Sequence, residues 1–125
     1  MSEIHKLIGY AIPTGFALMA LWALLAFLRN RSPADWFWKM VSVVQVLLGL
    51  QVAVGILLLL AGLTPTGGGA AWLHYAYGGL FPFAVLVAAH RYARAHSEVA
   101  WVIFGIAAIV NFGLTFRALM TGLGI

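Results

Sequence analysis

Four long apolar stretches dominate the chain, and polar or helix-breaking residues separate them. They run from about Ile4 to Leu28, Trp36 to Leu63, Ala71 to Tyr92 and Glu98 to Met120. Each has the roughly 20 residues that an α-helix needs to cross a hydrocarbon core of ~30 Å. Backbone groups in lipid need hydrogen-bond partners within their own segment, so each stretch is predicted to be a helix.

The links between these stretches are short. Arg29–Pro33 follows the first, Thr64–Gly69 follows the second, and His96 and Ser97 precede the fourth. Short links favour helices that neighbour each other in an up-down-up-down bundle. The predicted fold is therefore all-α: an integral membrane four-helix bundle in which residues 1–125 form a single transmembrane domain.

Composition strengthens the membrane prediction and excludes several functions. Hydrophobic residues make up 64% of the 125 residues and charged residues only 8%, more apolar surface than a soluble domain of this size could bury. The absence of cysteine excludes disulfides, thiolate metal sites and c-type haem attachment. The only acidic residues are Glu3, Asp35 and Glu98, too few and too scattered for a catalytic carboxylate pair or a carboxylate-rich metal site.

Basic residues predict the orientation in the membrane. The first and third links and their flanks carry most of them: Arg29, Arg31, Lys39, Arg91 and Arg94. The opposite side carries Lys6 and Arg117. The positive-inside rule then puts both links in the cytoplasm and both termini on the non-cytoplasmic side of a cell (inner) membrane. The net charge of +4 is explained in this way, so a nucleic-acid partner is not predicted.

A short internal repeat marks the first and third stretches. His5, Gly9 and Pro13 in the first have the same spacing as His74, Gly78 and Pro82 in the third, 69 residues later. The chain is therefore expected to consist of two pseudo-repeated helical hairpins. Internal symmetry in a membrane protein often places a site between the repeats.

The repeated histidines are the candidate ligands. His5 and His74 should lie at the same depth near the outer face, on helices that are diagonal neighbours in a four-helix bundle. Gly9 and Gly78 follow one turn further in, on the same helix face, and leave clearance for a flat macrocycle. Two neutral imidazoles are a common axial pair for haem iron. The alternative is that each histidine is only a polar residue at the membrane interface.

Other polar residues are open to more than one interpretation. Arg117 and Lys6 match the carboxylates of haem propionates, but both could instead reach the outer membrane surface as solvated helix-end charges. His90 lies 16 residues after His74, which turns it to nearly the opposite helix face. We therefore interpret His90, with Arg91 and Arg94, as part of the cytoplasmic interface.

The chain resembles four-helix membrane b-type cytochromes, in particular one half of heme A synthase and, next, cytochrome b561-like proteins. His5–Gly9 resembles the opening of the haem-ligating helices in heme A synthase, and His74–Gly78 is a looser match. Gln45–Gly55 resembles the glutamine- and glycine-containing helix that leads into the outer loop. The resemblance implies one haem b held by His5 and His74. Heme A synthase has two such halves and this chain has one, so the synthase reaction is not expected.

These observations lead to two main functional hypotheses; a small-molecule transporter ranks last, because only a few intramembrane polar groups support a pathway. The first is a membrane haem protein that transfers electrons near the outer face, with a quinone or a redox protein as its partner. Whether it acts as an oxidoreductase or as an electron-transfer subunit is left open, as is assembly into a homo-oligomer. The second is a cofactor-free accessory subunit of a larger membrane complex.

Overall fold

A computed structural model describes residues 2–64 and 71–124, with side chains from Glu3 onwards. The described residues form helices and short connections, without a strand. Four of the segments are long and apolar enough to cross a membrane. The first two are α1 (Ser2–Leu28) and α2 (Asp35–Leu60). The third span consists of α3 (Ala71–Tyr75), a π-helical segment (Ala76–Leu80) and α4 (Phe81–Ala95), and the fourth of a 3₁₀ turn (Ser97–Val99) and α5 (Ala100–Leu123).

The second helix ends earlier than its apolar pattern indicates. It stops at Leu60 because Gly62 has a left-handed backbone, with φ of 83°. The amide of Leu63 turns back and donates to the carbonyl of Leu58 at 2.9 Å. This is a Schellman-type end, which satisfies a terminal carbonyl and stops the helix before the apolar run is over. The loop residues 65–69, which belong to the predicted link, lie outside the described residues.

A π-helical segment interrupts the third span between His74 and Pro82. The amide of Phe81 donates to the carbonyl of Ala76, five residues back, where an α-helix would use the residue four back. Pro82 has no N–H, so the preceding turn lacks one of its usual donors. Pro13 occupies the matching place in α1, yet α1 remains α-helical throughout. Single π-turns inside α-helices are frequent at functional sites.

The helices form a bundle whose first and third spans lie on a diagonal. The first span packs against α2 and α5, and the third span packs against α5 and touches α2 at the π-helical segment. Among the described residues, no Cα atom of the first span comes within 8 Å of one in the third, and the same holds for α2 and α5. This arrangement leaves room for side chains to meet across the bundle centre.

The buried core occupies the half of the bundle away from His5 and His74. Its largest members include Phe16, Met19, Phe37 and Leu48, which are at most 1% exposed. The outer surface, by contrast, carries many large apolar side chains, such as Leu7 at 71% and Leu60 at 78% exposed. Such a surface is costly in water, whereas it matches the interior of a bilayer.

Close contact between α1 and α5 depends on Gly105, which leads to a prediction on stability. A Cβ atom at Gly105 would lie 2.6 Å from the Cβ of Ala23. A Cβ atom cannot rotate out of the way, so the two helices would have to move apart. We expect Gly105→Ala to lower the free energy of unfolding in detergent by about 1–3 kcal/mol. Gly113→Ala on the same helix is the matched control, because a Cβ there meets nothing within 4 Å. Equal stability of the two variants would contradict this packing.

Candidate functional site: a histidine pair between the repeats

The two histidines that the repeat singles out lie next to each other. The ring centres of His5 on α1 and His74 on α3 are 6.0 Å apart, and the ring planes make an angle of 64°. Both residues are half-buried. The pair therefore joins the two diagonal spans at the end of the bundle where α1 and α3 begin. We call this the histidine end.

The ring of His74 is held through its Nδ1 atom. Nδ1 lies 2.9 Å from the carbonyl oxygen of Ala118 on α5, so Nδ1 carries the hydrogen and donates it. The hydroxyl of Thr121 donates to the same carbonyl at 2.8 Å and lies 3.4 Å from Nδ1. In the neutral ring this leaves the lone pair on Nε2, the arrangement that histidines bound to metals generally show.

The ring of His5 is held differently. The side-chain amide of Gln51 on α2 donates to the backbone carbonyl of His5 at 2.8 Å, so Gln51 fixes the backbone at this point. Nδ1 of His5 is buried and makes no hydrogen bond of ideal geometry among the described residues, although the ring also interacts with the backbone of Gln51. Oε1 of Gln51 is also buried without a partner. Burying an unpaired polar atom is costly, and Oδ1 of Asn111, which is not part of the histidine pair, is also buried without a partner among the described residues.

Each histidine ring lies against a glycine of the neighbouring helix. A Cβ atom at Gly55 would lie 3.2 Å from Cε1 of His5, and one at Gly122 would lie 2.9 Å from Cε1 of His74. Any larger residue at these positions would push the imidazoles out of place. The sequence analysis did not identify Gly55 or Gly122 as a contact of a histidine ring. They are 67 residues apart and the histidines 69, so a search at a single repeat distance finds only the histidines.

The glycines one turn after the histidines allow the helices to approach closely. A Cβ at Gly9 would lie 3.2 Å from the amide nitrogen of Gln51, and one at Gly78 would lie 3.2 Å from the Cβ of Ala118. Gln51 and Ala118 each precede the ring-contacting glycine by four residues. The repeat therefore extends from α1 and the third span to the second helix of each hairpin, α2 and α5. The clearance expected beside Gly9 and Gly78 is taken up by the neighbouring helices at these points.

The two candidate cations lie beside the pair and point away from it. Lys6 follows His5 directly, and Arg117 directly precedes Ala118, whose carbonyl binds His74. Both side chains are exposed. They lie at the histidine end, as the propionate hypothesis requires, but on helix faces that turn away from the rings.

The remaining polar side chains of the spans form separate contacts. His90 on α4 lies in the other half of the bundle, with Nε2 2.7 Å from Oε1 of Gln45 and its ring against Phe104. Asn111 on α5 is completely buried, and its amide donates to the carbonyl of Pro82 over 3.4 Å. These contacts join helices and do not extend the histidine pair.

The separation of the two rings matches that of two ligands on one metal ion. Two metal–nitrogen bonds of about 2.0 Å, each continued by about 1.1 Å to the ring centre, put axial imidazoles roughly 6 Å apart. Their planes can rotate freely about the metal–nitrogen axis, so an angle of 64° is compatible with this. Within residues 2–64 and 71–124, no three His, Cys, Asp or Glu side chains lie together. A metal held here by the described residues must bring its other ligands with it, as the iron of a porphyrin does.

The surroundings of the pair consist mainly of α2 and α5. The two rings lie between these helices, since His5 packs against Gly55 of α2 and His74 against Gly122 of α5. The backbones of these two helices stay more than 8 Å apart among the described residues. The space beside Gly55 and Gly122 is filled by the two histidine rings themselves. The donor set of two imidazoles is one that haem iron accepts.

Comparisons of the chain with protein-family models, with curated proteins and with solved structures give no match. The geometry of the histidine pair therefore carries the functional proposal.

Proposed function

We propose that this chain is a membrane haem protein, in which His5 and His74 would hold the iron of one haem b. The observation that carries the proposal is the adjacent pair of imidazoles, with ring centres 6.0 Å apart, on helices whose backbones do not touch. Packing of the helix backbones alone does not require two histidines to meet across a bundle diagonal. A shared metal ion gives a physical reason for this meeting.

The chain's own residues would prepare the ligands and keep water out. The carbonyl of Ala118 orients His74 and raises the electron density on its Nε2, while Gln51 fixes the backbone of His5. Gly55 and Gly122 leave space for the two rings. Bound haem would supply one-electron redox chemistry, and two neutral histidine ligands with partial burial would set its potential.

The location of the pair supports electron exchange near one membrane surface. His5 lies in the first turn of α1, and Lys6 and Arg117 are exposed nearby, where they could contact the carboxylates of haem propionates. We propose an up-down-up-down insertion with both termini on the non-cytoplasmic side, based on the charge distribution. A quinone or a redox protein would then exchange electrons with the haem at the non-cytoplasmic surface.

One feature favours an accessory role as a second candidate. Gly113 lies on an exposed face of α5, where a Cβ would meet nothing within 4 Å. On both sides of it, Phe112 and Phe116 stack with ring centres 5.8 Å apart and are 39% and 47% exposed. A glycine between exposed aromatic rings allows a helix of another subunit to approach closely. This surface is compatible with haem binding and would be the main functional feature if no cofactor is bound.

The proposal is tested by an absorption spectrum and a haem assay of the protein purified in mild detergent. We expect about one haem b per chain and the narrow α-band of a six-coordinate, low-spin ferrous centre after reduction. Reduction by a quinol would also support a quinone partner. Colourless, correctly folded protein from haem-replete cells would contradict haem binding and favour the accessory role.

A further inference from the structure

The second and third spans are neighbours whose backbones separate away from the histidine end. Where they touch, a Cβ atom at Gly79 in the π-helical segment would lie 3.5 Å from Cγ2 of Val52 on α2. Further along, no Cα atom of α4 comes within 8 Å of one of α2 among the described residues, whereas α1 packs closely on α2 and α5, and α4 on α5. A lateral opening therefore lies between α2 and α4, and we call it the α2–α4 gap.

Two polar side chains bridge the α2–α4 gap. Nε2 of His90 lies 2.7 Å from Oε1 of Gln45 on α2. The amide nitrogen of Gln45 donates to the carbonyl of Val41 at 3.3 Å, so the amide oxygen is the atom that faces His90. This oxygen can only accept, so Nε2 of His90 carries the hydrogen and, in the neutral ring, Nδ1 carries the lone pair.

The position of the His90 ring is fixed by a buried aromatic neighbour. The ring packs edge-on against Phe104, with ring centres 4.9 Å apart, and Phe104 is buried. His90 itself is exposed on the outside of an apolar span. A hydrogen-bond acceptor is therefore held in a defined orientation at a surface that otherwise matches lipid.

Next to this bridge, α2 carries a glycine that packs against nothing. A Cβ atom at Gly49 would meet no described atom within 4 Å. Glycine weakens a helix, and here no close approach of another helix of the chain requires it. Gln45 and Val52 bound this open stretch and are seven residues apart, which corresponds to roughly 10 Å of helix. On α4, Phe83 lies two turns before His90 on the same face and is exposed.

We propose that the α2–α4 gap beside Gly49 binds the ring of a lipid-soluble quinol, one hydroxyl of which donates to Nδ1 of His90. The ligand would enter from the bilayer, because the gap is flanked by exposed apolar side chains such as Val46 and Val87. A flat ring fits beside a glycine, and a hydroxyl fits the lone pair of Nδ1. The open stretch is shorter than the four fused rings of a sterol, the other common lipid that combines a flat skeleton with a hydroxyl.

The direction of the bridge predicts which redox form binds. A quinol has hydroxyl hydrogens that it can donate to Nδ1 of His90, whereas a quinone has only acceptor oxygens. The site should therefore prefer the quinol. Binding alone transfers no electron and no proton.

This site is separate from the quinone exchange proposed at the histidine end. His90 follows His74 by 16 residues, about 24 Å along the span. The proposal does not depend on haem binding, so the two can fail independently.

Equilibrium binding of a tritiated, short-tailed benzoquinol to the protein in lipid nanodiscs tests the proposal. The titration is done without oxygen and with excess reductant, so the quinol remains reduced whether or not haem is present. His90→Phe keeps the ring volume and removes both nitrogens, so we expect it to lower quinol affinity about three- to tenfold, the effect of one hydrogen bond. His96→Phe is the matched control, because His96 lies in the link with its Nδ1 on the carbonyl of Tyr92. It should bind as wild type does.

A second pair of variants tests the open space. Gly49→Leu should lower quinol affinity by roughly tenfold or more, because the new side chain occupies the place of the ring. Gly113→Leu makes the same change on α5, where a Cβ also meets nothing within 4 Å, and should leave the affinity unchanged. Circular dichroism of both variants shows whether the bundle is intact.

A third variant tests the preference for the reduced form. Gln45→Met removes the oxygen that keeps the hydrogen of His90 on Nε2, so Nδ1 can then carry it. The ratio of quinol to quinone affinity, with the quinone measured on oxidised protein, should fall in this variant. A merely structural role of Gln45 would weaken both forms equally.

Three results would overturn the proposal: equal quinol affinity in wild type and His90→Phe, equal affinity of wild type for quinol and quinone, or equal affinity of Gly49→Leu and Gly113→Leu. Displacement of the bound quinol by a sterol, but not by unlabelled quinol, would also overturn it. Purified protein without haem bands that still binds the quinol would contradict the haem proposal alone.

Discussion

Replacing His74 with alanine is expected to remove most of the haem from the purified protein. In the proposed site His74 would supply one of the two ligands, and its ring is oriented by the backbone carbonyl of Ala118 at 2.9 Å. Loss of an outer hydrogen-bond partner of a metal-bound histidine costs roughly 10- to 100-fold in metal affinity, and loss of the ligand itself should cost at least as much. The measurement is the ratio of haem to protein, with helicity recorded by circular dichroism to show that the bundle is intact.

Two further histidine variants complete this test. His5→Ala should abolish the six-coordinate, low-spin spectrum even where some haem remains bound through His74. His90→Ala is the matched control, because His90 lies in the other half of the bundle with Gln45 as its partner. Its haem content and spectrum should equal those of wild type. Unchanged bands in both His5→Ala and His74→Ala would show that other residues hold the haem.

Gly122→Ala is expected to reduce haem binding nearly as strongly, although glycine takes no part in the coordination. The added Cβ would lie 2.9 Å from Cε1 and 3.2 Å from Nδ1 of His74. The ring would have to move, and the hydrogen bond to Ala118 would lengthen or break. Disturbing this outer contact should lower haem affinity by roughly tenfold or more.

Gly113→Ala is the control for Gly122→Ala, because it makes the same change on the same helix where nothing lies within 4 Å. It should leave haem content unchanged. Gly55→Ala, with a distance of 3.2 Å to the ring of His5, should have a smaller effect than Gly122→Ala. Equal haem content in Gly122→Ala and Gly113→Ala, with both variants folded, would show that Gly122 does not position the ring.

The sequence predicts the four helices and the candidate ligands because both depend on local patterns. Apolar length is sufficient to identify helices that could cross a membrane, and the third span was expected from Ala71 as the structure has it. The spacing of His5 and His74 relative to their glycines and prolines singles out two residues whose rings do lie together. Whether the pair binds haem remains a prediction.

The parts that the sequence analysis missed depend on contacts between helices. Thr121 and Gly122 surround His74 only because α5 packs against α3, and the 67-residue spacing of the two ring-contacting glycines conceals their equivalence. The π-helical segment was also missed, since Pro13 in the first span follows the same spacing without changing the helix type. The early end of α2 depends on the left-handed backbone conformation of Gly62, which cannot be predicted from the pattern of apolar residues.

The most direct test of the histidine pair is pulsed electron paramagnetic resonance of the ferric protein with ¹⁵N-labelled histidine. Two histidine nitrogens should couple to one low-spin iron, and His5→Ala and His74→Ala should each remove one of these couplings. Iron without coupled histidine nitrogens, or two couplings that persist in both variants, would contradict the shared site.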